Sequence, residues 1–375
     1  MEQTLITIVA FILMLGVLVF VHELGHFVVA RWMGIRVEEF GIGYPPRAVT
    51  LFERDGVKYT LNWLPLGGFV RFGGEDNSLY GTGSLSAASP WRKIPVMLAG
   101  PLMNFFLAVV IFVLLFATVG VPTPTGNQYI SNVIEGTPAA VAGLQADDVL
   151  ISLNGQSVYQ EGAVDAEDPI RRIAETNRGE AIPAVVERDG ERIELMVTPG
   201  PWETEDGQQF DSGLGIQYGP QLEDVSVSPP EALVVGVTYT GDILGRMLGA
   251  LSSLVGGLLG LTDSPAAAGG VAGPVGIARA TGEVIDQGGL LAFWRWMAVL
   301  SLMLFVMNLL PIPALDGSHI MFSLVEWVRG GKKIPPEKEA LVHAIGFAAL
   351  MGLMLLVTVN DVINAIQGNS VLGGG

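Results

Sequence analysis

The chain has 375 residues, half of them apolar and 15% charged, with a mean hydropathy of +0.49; this excludes an ordinary soluble domain and points to a polytopic membrane protein. It has no cysteine, so disulfides and thiolate zinc sites are excluded, and any zinc must be held by His, Asp or Glu. Nearly all of the formal net charge of −17 belongs to residues 120–235, where 20 acidic residues face 5 basic ones, a surface that excludes nucleic-acid binding.

Residues 4–21 carry no charge and read as a retained transmembrane helix. A signal peptide is disfavoured because the flank holds Glu2 and no basic residue, and no small-residue cleavage site precedes the histidines. Inside this apolar stretch stands Val21-His22-Glu23-Leu24-Gly25-His26. On a helix, residues four apart share a face, so both imidazoles project together with Glu23 beside them. A charged group at mid-bilayer costs roughly 2.5–3.5 kcal/mol even on the lenient insertion scale. Coordinating a metal would offset that cost, so the first hypothesis is a zinc hydrolase whose site lies within the bilayer.

Next, Ala48-Val-Thr-Leu-Phe-Glu, an Arg54-Asp55-Gly56 turn and Val57-Lys-Tyr-Thr-Leu-Asn-Trp63 read as a β-hairpin. Gly67-Gly68-Phe-Val-Arg-Phe-Gly73-Gly74 follows as a glycine-flanked strand. A second spanning helix is expected over 94–119, and its Ala-Gly100-Pro101-Leu-Met-Asn104 run is read as close helix packing with a kink. The acidic segment contains Glu135-Gly-Thr-Pro138-Ala139-Ala-Val-Ala-Gly143-Leu144 and, after it, Asp147-Asp148-Val-Leu-Ile-Ser-Leu-Asn154-Gly155. Pro138-Ala-Ala reads as a short helix, 149–153 as a buried strand and Asn154-Gly155 as a tight turn. This pattern resembles the core of a bacterial PDZ domain, expected over 127–199. Such a domain binds extended peptides by strand addition, or serves here as a steric spacer above the membrane site.

Residues 243–261 are apolar and glycine-rich, and are read as an interfacial helix in preference to a fifth span. Gly273-Pro-Val-Gly276 is read as a turn. The third and fourth spans are expected over 290–310 and 341–359. Basic residues cluster after the first span, before the second and after the third, so the positive-inside rule puts those connections in the cytoplasm and the acidic segment outside. In that topology the first and third helices run in the same direction. Near the inner end of the third comes Asn308-Leu-Leu-Pro311-Ile-Pro313-Ala-Leu-Asp316-Gly317, which puts Asp316 at the depth of the histidines. A catalytic zinc needs three protein ligands and an open position, and His22, His26 and Asp316 supply the three. Trp32 stands where a third histidine would fall, and Glu38, Glu39 and Glu53 lie beyond the helix. His319 is read as either a partner behind the ligands or a polar residue at the membrane interface.

The expected fold is thus a polytopic α-helical membrane protein of about four transmembrane helices, a cytoplasmic membrane-associated β-hairpin or sheet, and one extracytoplasmic PDZ-like α+β domain. Residues 1–120 hold the first two spans with the hairpin region at 36–75, residues 121–200 the PDZ-like domain, 201–289 an acidic linker and interfacial helical region, and 290–375 the last two spans.

With HELGH in the first helix and NLLPIPALDG in the third, the chain resembles the site-2 proteases, zinc metalloproteases that cut substrates within the membrane. It is most similar to the bacterial regulator-of-sigma-E protease branch. The resemblance implies Zn2+ held by His22, His26 and Asp316, Glu23 as general base, and Asn308 helping to position substrate. It implies a place in the cell inner membrane, a sheet that pairs with substrate near the site, and membrane-embedded protein substrates such as an anti-sigma factor or signal-peptide remnants. The best-known members of that branch carry two tandem PDZ domains, whereas this soluble segment has room for about one, which leaves the filtering of substrates open. Two readings from other classes are a catalytically inert PDZ-bearing membrane scaffold and a metal-ion transporter. The transporter would need further intramembrane carboxylates along a pathway, and none is found, the second helix being free of charge over 94–119.

Overall fold

The computed structural model describes residues 2–73, 84–85, 87–158, 168–203, 209–258, 260 and 272–367. Gly74, the far flank of the expected third strand, and Leu261, the end of the expected interfacial helix, lie outside them. In chain order the elements are α1 (Glu2–Trp32), β1 (Val37–Arg54), β2 (Val57–Phe72), α2 (Pro90–Thr118), β3 (Val121–Val133), α3 (Pro138–Ala142), β4 (Val149–Leu153), β5 (Gln156–Ser157), α4 (Pro169–Thr176), β6 (Ile182–Arg188), β7 (Glu191–Val197), β8 (Gly200–Glu203), β9 (Gln209–Gly213), β10 (Ile216–Val225), α5 (Pro229–Leu258), α6 (Pro274–Leu309), α7 (Asp316–Val328) and α8 (Pro336–Gln367). They form two compact units, 1–116 with 229–374, and 117–228.

In the first unit, four helices are long and apolar enough to cross a membrane: Thr4–Trp32, Pro90–Thr118, Pro274–Leu309 and Glu337–Gln367. The 30-residue α5 is not among them. The third helix begins earlier than its apolar run. Pro274 to Gly276, expected as a turn, already belong to α6, with Pro274 in its first turn, where a missing N–H costs nothing. Gly289, at φ 60° and ψ −151°, then breaks α6 into a polar arm and the apolar span. The indole of Trp296 donates to the Thr281 hydroxyl at 3.1 Å and ties the two arms together. These longer helices carry carboxylates that the apolar runs leave out. Glu283 and Asp286 fall in α6, and Glu339 and Asp361 in α8, each just outside the run that hydropathy alone marks. Buried Asp361 accepts the Gly276 N–H at 2.8 Å and so caps the start of α6.

The hairpin is longer than its strongest alternating stretch. Asp55 and Gly56 both take positive φ, 52° and 75°, the turn that suits strand twist, and Arg54 faces Val57 across it. Residues 39–42 then pair on both sides, Glu39 with Lys58 and with Arg71, Ile42 with Leu61 and with Gly68. The glycine-flanked strand expected from residue 67 is therefore the far end of β2, folded back against the start of β1. Buried Glu39 holds this arrangement: Arg47 donates to it at 2.6 and 3.1 Å, the Thr60 hydroxyl at 2.8 Å, and Arg71 lies 3.4 Å away. Burial opposes its ionisation, but the Thr60 and Arg47 bonds outweigh burial and hold the carboxyl below the usual range. A carboxyl with a depressed folded value adds stability above the unfolded value of about 4.3 and loses it as pH falls through the folded one. Thermal melts of detergent-solubilised protein should show that loss, and Glu39→Gln should weaken the pH dependence in the same window.

In the second unit the sheet order is β10-β3-β4-β6-β7, with β5 on β4 and a separate β8-β9 ribbon. Its core gathers Ile130, Leu150, Leu153, Ile170, Ile173, Val186 and Val197. The short helix, buried strand and Asn154-Gly155 turn stand where the sequence puts them; α3 ends on Gly143 at φ 86°, and both turn residues have positive φ. Buried Asp148 accepts two bonds from Arg188, at 2.7 and 2.8 Å, and a third from the Gln145 N–H at 2.9 Å. One boundary is corrected: residues after 200, expected as linker, continue as β8, β9 and β10, and β10 pairs with β3 from Val133 to Val121. Pro220 and the acidic Glu223 and Asp224 disguise this strand. Such residues are tolerated at a sheet edge, where one side of the backbone has no strand to pair with.

Candidate metal centre

His22 and His26 lie on one face of α1, their ring centres 4.8 Å apart. The chain after α6 cannot continue as helix through Pro311 and Pro313. It turns with Ala314 at φ 77° and starts α7 at Asp316. Gly317 is required there, because a Cβ would strike the carbonyl oxygens of Leu309 and Leu310 at the end of α6. This close turn brings Asp316 Oδ2 to 3.0 Å from His22 Nε2 and 3.3 Å from His26 Nε2, while the two Nε2 atoms are 3.1 Å apart.

Zinc–ligand bonds of about 2.0–2.2 Å at the tetrahedral angle separate ligand atoms by roughly 3.4 Å, so this triangle fits such an ion with little movement. Protonation supports the same reading. His26 Nδ1 donates to the Val96 carbonyl at 2.7 Å, which leaves Nε2 as the lone-pair nitrogen. Asp316 Oδ2 is buried without a hydrogen-bond donor. Two imidazole nitrogens and a carboxylate oxygen thus converge on one point, the donor set of a cation site.

α2 closes the centre from the other side. Gly25 lets α1 approach the Ala99 carbonyl, and a Cβ on Gly100 would collide with the Nε2 atoms of both histidines. Asn104 Nδ2 lies 3.4 Å from His22 Nδ1, and Asn104 Oδ1 is buried without a partner. Turning the amide by half a rotation would put Oδ1 against His22 Nδ1 as an acceptor. Its backbone carbonyl accepts from Ser301 at 2.7 Å, which joins α2 to α6. The Gly100-Pro101-Leu-Met-Asn104 run thus does more than pack helices. It leaves room beside the imidazoles and orients one of them, and the mixture of small residues with an amide was its only sequence signal.

Glu23 accepts the Val70 N–H at 3.1 Å, so the 68–71 end of β2 reaches the centre directly. Tyr44 of β1 is also near: burial and the Glu23 carboxylate push its phenol up, which keeps it protonated. Asn308 is not drawn into the cluster; its amide donates to the Leu304 carbonyl of its own helix at 3.0 Å. His319 does not stand behind the ligands either. It pairs with Glu339 at 3.7 Å and stacks on His343. Glu39 is committed to the sheet, as described above.

Known proteins are similar to this chain over nearly its whole length. The model of Peptidase family M50 matches residues 10–353. A protein of Agrobacterium fabrum is 33% identical over 379 residues, with 96% of each chain covered. The zinc metalloprotease RasP of Geobacillus kaustophilus is 31% identical, covering 96% of this chain and 99% of its own. The regulator of sigma-W protease RasP of Bacillus subtilis is 31% identical, covering 95% and 98%. With four helices long and apolar enough to cross a membrane, a histidine–carboxylate cluster, and a family match over nearly its whole length, the chain belongs to peptidase family M50, the site-2 proteases, and is a zinc metalloprotease of the membrane.

Proposed function

We propose that His22, His26 and Asp316 are the zinc ligands and that Glu23 is the general base and acid of an intramembrane endopeptidase. The observation that carries this is the triangle of Nε2, Nε2 and Oδ2 atoms, all within 3.3 Å of one another, one residue from the Glu23 carboxylate. Zinc supplies Lewis acidity there, making water nucleophilic near neutral pH and polarising the scissile carbonyl. Glu23 takes the proton of the attacking water and delivers it to the leaving amine. The Val70 N–H steadies the carboxylate for that exchange. Asn104 and the Val96 carbonyl hold His22 and His26 in the tautomers that leave their Nε2 atoms free. Gly100 keeps the ligand face open, so Gly100→Ala is expected to lower zinc affinity on the order of 10–100-fold, read by competition with a chromogenic chelator.

Peptide-bond hydrolysis needs an extended backbone, and a helical substrate must unwind to provide one. The 68–71 segment of β2 has a strand partner on one side only among the described residues, and is positioned to pair with it. Asn308 serves substrate positioning, turning its amide from Leu304. The excess of basic residues on the connections after the first and third spans supports a cytoplasmic sheet and an extracytoplasmic acidic domain, in a bacterial inner membrane. That domain is PDZ-like, with a core over 121–200 to which β10 adds an edge strand. Substrates are membrane-anchored proteins, an anti-sigma factor or signal-peptide remnants. The sigma-W regulator in the name of the Bacillus subtilis relative supports the first. Proteomics of membrane fragments that accumulate in a Glu23→Gln strain tests the reading. A fragment population identical to that of the parent strain would exclude it.

A further inference from the structure

A second group of ligating side chains sits where α7 approaches α8. His319 lies three residues after Asp316, while Glu339 and His343 are four apart and share a face of α8. His319 Nδ1 is 3.7 Å from Glu339 Oε1, and the rings of His319 and His343 stack at 4.2 Å with 19° between their planes. One ligating atom from each of the three lies within 4.8 Å of the others. His343 Nε2 is buried without a hydrogen-bond partner. The neighbouring carboxylate Glu326 is taken by Lys93 at 2.9 Å, so Glu339 is the one turned to the histidines.

We infer that His319, Glu339 and His343 form a second, exchangeable site for a divalent transition cation, separate from the His22–His26–Asp316 group. Two imidazoles and one carboxylate suit zinc and its first-row neighbours, and suit magnesium or calcium poorly. Three protein ligands leave at least one position for water, which makes for exchange and not for a closed structural site. The ligand atoms, within 4.8 Å of one another, have to close to the roughly 3.4 Å of a tetrahedral zinc site, a displacement on the scale of a side-chain rotation.

Filling this site has a consequence for the Asp316 turn, a step that rests on the role proposed for Asp316. His343 Nδ1 accepts the Ala314 N–H at 3.0 Å, two residues before Asp316, and Gly346 packs against Pro313. A neutral imidazole has one in-plane lone pair. The cation and the Ala314 N–H compete for it, so occupancy draws His343 off the turn that presents Asp316. The second site is inhibitory.

The test uses the full-length chain in detergent, stripped of metal and titrated with zinc alone, with bound zinc and substrate cleavage both measured. The expected result is two zinc equivalents, one per ligand group. The weaker is lost in His319→Ala and, as a second and milder variant, in Glu339→Gln. Cleavage by the unsubstituted chain should fall as the weaker site fills, and His319→Ala should abolish that fall. A single equivalent in the unsubstituted chain, or a second that survives both substitutions, overturns the site. A second equivalent that fills without any effect on cleavage overturns the coupling to Ala314. Asp316→Asn separates the two readings: if it retains both equivalents, the ligand role of Asp316 fails while the second site stands.

Discussion

Glu23→Gln is expected to keep its zinc and lose cleavage by at least the 10²–10⁴-fold, in order of magnitude, that a positioned acid–base group contributes. The substitution preserves shape and the acceptor oxygen that the Val70 N–H needs, at 3.1 Å in the parent. It removes the ability to take a proton. His22, His26 and Asp316 are untouched, so metal analysis of the purified variant should match the parent. Substantial remaining proteolysis in a detergent assay with a membrane-anchored substrate would remove Glu23 from its assigned role. Loss of zinc together with activity would make Glu23 a ligand or a structural support.

Asp316→Asn should do the reverse and act first on the metal. Asp316 is the single carboxylate of the triangle, 3.0 and 3.3 Å from the two imidazole nitrogens. An amide of the same size offers an uncharged oxygen, and its NH2 group turned inward would oppose a cation. The affinity loss should exceed the roughly 10–100-fold typical of residues one shell further out, and cleavage should fall in proportion to occupancy. With His319→Ala added to remove the inhibitory site, raising free zinc should restore part of the activity of Asp316→Asn and none of that of Glu23→Gln. Equal rescue of both variants would show that the two residues do not divide metal binding from proton transfer.

The centre depends on a match between parts of the chain almost three hundred residues apart, and each part is built from a local constraint. A single turn of α1 aligns His22 and His26. Two prolines end α6 early enough for Asp316 to turn inward, and Gly317 permits the close approach to Leu309 and Leu310. Gly25 and Gly100 then let α2 lie against the histidines, where a methyl group at either position would push the helices apart. Small residues at these contacts keep the histidine–carboxylate cluster open as well as letting the helices pack.

The parts of this protein that the sequence alone determined are those governed by short periods and strong local chemistry. Apolar runs marked four spans, the four-residue spacing of HELGH put two imidazoles on one face, and the charge asymmetry set apart the acidic domain. Asp55-Gly56 and Asn154-Gly155 announced their turns because few other residue pairs accept positive φ twice in succession. Tertiary structure decided what depends on distant partners. It made β10 an edge strand despite Pro220, extended α6 and α8 past their apolar runs, and turned Asn104 toward His22. It also gathered Val70 against Glu23, and His319 with Glu339 and His343. Those contacts join residues with no common period, so only the packing of one helix or strand on another brings them within reach.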